Sequence, residues 1–245
     1  MKIAIHSTFE RFTGYRLLNA KRRGVGVFRD LKCFLPALRI RTVLDIGANI
    51  GEVTTEYWHQ FPDATIHCVE PARASYEGLV RHFRGNGRVN IYHVAFGDKT
   101  GSACLSTDGP SDRFRIIDLD ESGEMVKMET LDHFLTLTNI EQVDFMKIDT
   151  EGFDLAVLQG GKEALRLDRV SVIQVEAGMN PDNELHVPFE AIKSYLESFG
   201  YRLFGIYDQV NEFPTSRPYL RRTNSVFVSS STILANTGIG LGVKS

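Results

Sequence analysis

Apolar positions along this chain follow two periods in turn, and the switching between them sketches the fold. Short strand-length runs recur as "TVLDIG" at 42–47, "TIHCVE" at 65–70, "VNIYHVAF" at 89–96, "QVDFMKID" at 142–149 and "VSVIQVEA" at 170–177. Helical spacing predicts helices over 15–22, 26–38, 52–60, 74–83, 130–137, 153–165 (with a glycine break) and 188–200. Strands alternating with helices predict a mostly parallel, doubly wound sheet with helices on both faces. "YRLFGIYD" at 201–208 and "NSVFVSS" at 224–230 have no helical pattern between them, which predicts an antiparallel pair at one edge. From Gly97 to Leu131 alternation broken by turns predicts a small inserted β-hairpin region in place of a crossover helix.

Composition narrows the class. Of 245 residues, 42% are hydrophobic and 24% charged, as in ordinary globular proteins, and no apolar run is long enough to span a bilayer. "MKIAIHSTFERF" has no signal-peptide core, and Cys33, Cys68 and Cys104 are odd in number and widely spaced. Reduced thiols in a cytoplasmic protein are the expectation. The net charge of −3 is unevenly spread: residues 1–41 hold ten Lys/Arg against two Asp/Glu, or about +8, leaving −11 for the rest. The expected organisation is a basic helical segment at 1–41, a main domain at 42–229 and a flexible tail at 230–245. The basic segment packs beside the sheet or makes peripheral contact with an anionic membrane; the acidic body argues against nucleic acid. The tail is either loose or covers a second copy in a homo-oligomer.

In a doubly wound sheet, ligands bind beyond the carboxyl ends of the strands. Asp45, the loop Gly47–Ala48–Asn49–Ile50–Gly51, Glu70, Ala95–Asp98, Asp149–Gly152 and Glu176 all fall there. The loop reads G-x-x-x-G, lacking the third glycine of a dinucleotide fingerprint, and Asp45 would repel a pyrophosphate. A cationic, phosphate-free nucleoside suits it better, which points to S-adenosylmethionine, with Glu70 bonding its ribose hydroxyls. A tight strand-to-helix turn is the alternative use of the two glycines.

"DIGANIG", "VEP", "VAFGDKTG", "MKIDTEGFDLAVLQGG" and "IQVE", in this order and spacing over about 42–177, resemble the FkbM family of S-adenosylmethionine-dependent methyltransferases. The later segments "NPDNELHVPFE", "GIYDQVNEF" and "LRRTNSVFV" resemble a subset associated with O-methylation of sugars and polysaccharides. The resemblance implies a Rossmann-like class I fold, whose seven-stranded sheet ends on an inserted antiparallel strand. The corresponding cofactor residues are Asp45, Gly47, Ala48, Asn49, Gly51, Glu70, Pro71, Ala95, Phe96 and Asp149.

Methylating a sugar hydroxyl calls for a base or a metal, because the hydroxyl is a poor nucleophile at neutral pH. Candidate catalytic residues are Asp149, Lys147 and His186. Asp149, Glu151 and Glu176 could hold Mg²⁺ or another divalent cation, or Asp149 and Glu151 could only cap the next helix. The sugar-containing acceptor would meet Glu176, Asn180, Tyr207, Asp208, Arg221 and Arg222, with Tyr207 or Phe189 as its aromatic face. N- or carboxyl-methylation of a small molecule or peptide, and a non-catalytic binding domain, stay open as alternatives.

Overall fold

The computed structural model describes residues 23–106, 115–117 and 123–237. The helix expected at 15–22, most of the basic segment and residues 238–245 lie outside the described residues. In chain order the elements begin with α1 (Val27–Phe34), β1 (Thr42–Ile46), α2 (Glu52–Gln60), β2 (Thr65–Val69), α3 (Arg73–His82) and β3 (Val89–Tyr92). Then come β4 (Ala95–Phe96), β5 (Gly101–Ser106), β6 (Arg115–Ile117), β7 (Glu124–Glu129) and α4 (Leu131–Leu137). The chain continues through β8 (Val143–Ile148), α5 (Asp154–Gly160), α6 (Lys162–Arg166), β9 (Val170–Gly178) and α7 (Phe189–Ser198). It closes with β10 (Arg202–Asn211), β11 (Leu220–Val228) and α8 (Ser230–Thr237).

The main sheet has seven strands in the order β10-β11-β9-β8-β1-β2-β3. All neighbours from β9 to β3 pair in parallel, while β11 runs antiparallel to both β9 and β10. The expected edge pair is therefore present, and its inserted member β11 is the single antiparallel strand. Side-chain alternation divides the interior in two. Val43, Phe145 and Val172 pack under α1, α2 and α3 with Leu31, Tyr57 and Leu79. Leu44, Met146 and Ile173 pack on the other face with Phe134, Val157, Leu165 and Ile192 from α4, α5, α6 and α7. Helices cover both faces, as parallel strands require.

The run expected as one strand over 89–96 divides, because β4 leaves the main sheet to pair with β7. With β5 and β6 it forms a second, four-stranded sheet, larger than the hairpin the sequence suggests. Residues 230–237, expected to be part of a flexible tail, form α8; Ser229 caps it through the Thr232 amide, and Asn236 Oδ1 accepts the Ala37 N–H at 2.6 Å. Among the described residues no helix is long and apolar enough to cross a membrane.

Candidate active site

From β1 the chain winds outward through β2 and β3, then returns to the other side of β1 through β8 and β9. The winding reverses between β1 and β8, and a crevice forms beyond their carboxyl ends. It is a cleft of about 310 Å³ lined by Gly47, Ala48, Asn49, Ile50, Glu52, Val53, Lys147 and Asp149. Gly47 has φ +80°, and a Cβ there would lie 1.8 Å from the Asp149 carbonyl oxygen, so the loop closes onto β8 only with glycine. Gly51, at φ +90°, lets α2 start against Leu79 and Phe83 of the α3 layer. Gly47, Ala48, Asn49 and Ile50 of the expected loop line one cleft with Asp149, and Glu52 and Val53, which the sequence reading did not name, join them.

Glu70 ends β2 and is 6% exposed. One of its oxygens accepts the Asn49 N–H at 2.8 Å and the other the Ala72 N–H at 2.8 Å, so this carboxylate holds the glycine loop and the start of α3 in place. Burial pushes its pKa up to about 7 despite those two bonds. Each oxygen keeps a second lone pair for a ligand hydroxyl.

Beneath the cleft Lys147 Nζ lies 2.9 Å from Asp149 Oδ2 and 3.9 Å from Asp45 Oδ1. Asp45 is fully buried, and its other oxygen accepts the Thr54 hydroxyl at 2.6 Å. Asp45 therefore braces Lys147 and α2 instead of touching a cofactor, which corrects its assignment. Burial alone would lower the Lys147 pKa, but Asp149 and Asp45 hold it above the ordinary value. A buried ammonium locked between two carboxylates has no lone pair to offer, so Lys147 is not the base. Burial would likewise raise the Asp149 pKa, but the Lys147 ammonium more than offsets it and keeps Asp149 below the carboxylate range.

A second polar cluster adjoins Asp149. His186 Nε2 lies 2.8 Å from Glu176 Oε2 and 3.7 Å from Glu151 Oε2. The Arg222 guanidinium contacts the other oxygen of Glu176. Asn183 Oδ1 accepts the backbone N–H of Leu185 at 3.2 Å and of His186 at 3.3 Å, and stands 3.0 Å from His186 Nδ1. Each ring nitrogen faces a protein neighbour and the side chain is 4% exposed, so His186 is not placed to meet a substrate hydroxyl directly. Burial draws its pKa down, with the Glu151 carboxylate opposing. Burial and the nearby Asp149 push Glu151 up to about 7. Asp154 holds the 149–153 turn by accepting the Thr150 and Gly152 N–H groups, each at 3.3 Å, a residue the sequence reading did not name when it offered Asp149 and Glu151 as caps of the next helix. Asp149 is turned to Lys147, and the three ligand atoms within 4.8 Å of one another come from Glu151, Glu176 and His186.

Other expected contacts are redirected by packing. Tyr207 is 3% exposed, and its hydroxyl donates to Asp30 Oδ2 of α1 at 3.1 Å, so it anchors α1 and does not rim a pocket. Phe189 packs on the core, and Phe96 is buried there too, its ring tilted against Phe134 at 5.0 Å. Ala95 is buried with Ala72 and Met128, whereas Pro71 is half-buried beside Glu70. Asn180 donates to the Leu220 carbonyl at 2.6 Å, zipping the loop after β9 to the β10–β11 hairpin. Arg221 pairs with buried Glu212 at 3.3 Å under the ring of Phe213. Exposed Asp208 accepts from Asn224, which pairs in register with Glu176. Phe213, 62% exposed at the hairpin, is the outward aromatic that the sequence reading missed.

The Methyltransferase FkbM domain matches residues 45–203. The chain is 25% identical over 183 residues to Methyltransferase 1 of Beauveria bassiana, covering 65% of this chain and 71% of that one. It is 25% identical over 178 residues to 2-O-methyltransferase NoeI of Sinorhizobium fredii, covering 64% and 71%. Among solved structures, TrmK of M. capricolum in complex with S-adenosyl-homocysteine is 10% identical with a TM-score of 0.48, covering 84% of this chain and 69% of that one. With the cleft at the switch point and a domain match spanning both its walls, the chain belongs to the FkbM methyltransferase family and is an S-adenosylmethionine-dependent methyltransferase.

Proposed function

We propose that the chain O-methylates a hydroxyl of a sugar in a glycan, glycolipid or glycosylated metabolite. The observation that carries this reading is the chemistry beside the cleft. Asp149, Glu151, Glu176, His186 and Arg222 gather on its β8–β9 side, and the hairpin next to them presents Phe213 and Tyr219. A sugar offers many hydroxyls and little apolar area, so its site needs paired donors and acceptors with an aromatic face. The similarity to a protein named a 2-O-methyltransferase supports oxygen as the methylated atom.

The residues present fit S-adenosylmethionine. Glu70 would receive its ribose hydroxyls, the Gly47–Asn49 loop would lie along it, and Asp149 would face its charged end. Bound there, it supplies a methyl group already activated by a sulfonium. The chain's own task is to hold the acceptor oxygen in line and take its proton. Asp149 is the carboxylate for that proton: it lines the cleft, and Lys147 keeps it ionised. With three widely spaced cysteines, an odd number, a reducing cytoplasmic setting goes with this reading.

A chemical test separates this from carboxyl methylation. A methyl ether on a sugar survives mild alkali, whereas a methyl ester is hydrolysed. Label transferred from S-adenosylmethionine should resist alkali; its release as methanol would overturn the proposal.

A further inference from the structure

We propose that Glu151, Glu176 and His186 form a binding site for a divalent cation, of the class that accepts mixed imidazole and carboxylate ligands. The inference rests on hydrogen-bond accounting. Asn183 Oδ1 already accepts the Leu185 and His186 amide protons, so the oxygen of this amide, and not its NH₂ group, faces the ring. The amide nitrogen is committed elsewhere, donating to the Arg221 carbonyl at 2.8 Å. His186 Nδ1, 3.0 Å from that oxygen, must therefore carry its proton. The other ring nitrogen, Nε2, faces Glu176 Oε2 at 2.8 Å and Glu151 Oε2 at 3.7 Å, so a cation that displaces any proton held there meets all three ligand atoms.

Three ligand atoms thus converge in a place nearly shut off from water, the side chains of Glu176 and His186 being 3% and 4% exposed. Something positive belongs between them. Carboxylates outnumber cations nearby, since Asp45 and Asp149 share Lys147 and Arg222 is committed to Glu176. The ligand atoms lie within 4.8 Å of one another, and a shift of a few tenths of an ångström would open the 2.8 Å His186–Glu176 pair to the spacing of about 3–4.5 Å that ligands at about 2.0–2.6 Å from one ion adopt. One imidazole with two carboxylates suits Mn²⁺ or Zn²⁺ better than the all-oxygen preference of Ca²⁺. Asn183 plays the supporting part, fixing the tautomer and the ring plane of the ligand histidine.

The placement gives the ion a use, which rests on the methyl-transfer reading. Glu151 is 18% exposed, and the cluster adjoins Asp149 at the cleft wall, so an acceptor hydroxyl could complete the coordination and lose its proton more readily. The set differs from an Asp149–Glu151–Glu176 trio, because Lys147 claims Asp149 and the loop after β9 delivers His186 instead.

The full-length protein, stripped with chelator, is titrated with Mn²⁺ alone and followed by calorimetry and by loss of the free-ion paramagnetic resonance signal. One site per chain is expected in the wild type and in Glu163→Gln, an exposed position on α6. Glu151→Gln and His186→Gln should abolish it, and Asn183→Ala should weaken it about 10- to 100-fold. Binding of S-adenosylhomocysteine reports folding in each variant. Mn²⁺ that fails to bind the folded wild type stoichiometrically, or that binds Glu151→Gln and His186→Gln unchanged, overturns the site. In that case methylation persisting in excess chelator leaves the methyltransferase reading intact, whereas a wild type unable to bind S-adenosylhomocysteine would sink that reading instead.

Discussion

The Lys147 ammonium stands 2.9 Å from the Asp149 carboxylate, joining the floor of the cleft to its wall. Its other neighbour, Asp45, is fully buried at the end of β1. Removing one member of a buried ion pair strands the rest without compensation, which costs about 3–5 kcal/mol. Lys147→Met should lower unfolding stability by that amount and weaken S-adenosylhomocysteine binding as well. Urea unfolding and calorimetry measure the two; an unchanged unfolding midpoint would contradict the bracing role.

Glu70 gives cofactor binding a pH signature. Its pKa is raised to about 7 from 4.5, so the unliganded fold holds a proton there that the unfolded chain has lost. That contribution is fully present below about 4.5 and is lost as pH rises through about 7. Ligand hydroxyls favour the ionised form, so S-adenosylhomocysteine affinity should fall as pH drops from 8 to 6 (~1–2 units about this pKa). Glu70→Gln should flatten the profile, and Glu70→Ala should cost about 1.5–3 kcal/mol, or about 10- to 150-fold. A wild-type affinity independent of pH would contradict the assignment.

Gly47→Ala tests the close approach of the loop to β8. The added Cβ would meet the Asp149 carbonyl oxygen at 1.8 Å in a backbone of φ +80°. Left-handed strain alone costs about 1–3 kcal/mol, and the clash displaces the loop from the cleft. Cofactor affinity should drop at least tenfold; calorimetry giving wild-type affinity would mean the loop does not line the site.

Two aromatics should behave oppositely. Tyr207→Phe removes one donor from buried Asp30, which keeps the Gly24 N–H and the Arg29 guanidinium, and should cost about 0.5–1.5 kcal/mol of stability, with kinetic constants unchanged. Phe213→Ala, at an exposed position, should leave stability within about 0.5 kcal/mol and raise the acceptor KM. Thermal unfolding and steady-state kinetics separate them, and the reverse pattern would place the acceptor at Tyr207.

Strand ends were legible in the sequence because parallel strands are short apolar runs that stop at polar residues, and Asp45, Glu70, Asp149 and Glu176 do mark those stops. What each does there was not legible. Asp45 turned inward because Thr54 and Lys147 meet it, and Thr54 lies in the first turn of α2, with no motif to flag it. Tyr207 looked like a rim residue at a strand end, but its partner Asp30 lies 177 positions earlier on α1. His186 read as a base by its chemistry alone, whereas Asn183 and Glu176 occupy both its nitrogens. The expected β-hairpin region grew to a four-stranded sheet, since β4 is too short to announce itself as a separate strand.

The central claim is methyl transfer to a sugar oxygen, and the direct measurement is the position of the transferred methyl. The protein is incubated with methyl-labelled S-adenosylmethionine and a panel of oligosaccharides, glycolipids and nucleotide sugars, alongside carboxylate and amine acceptors of similar size. Products are analysed by mass spectrometry and linkage analysis. The account predicts a mass increase of one methylene, located on a ring hydroxyl of one sugar unit, and loss of that product in Asp149→Asn while S-adenosylhomocysteine still binds. Label found on a carboxylate or a nitrogen, with every sugar left unmodified, would contradict it.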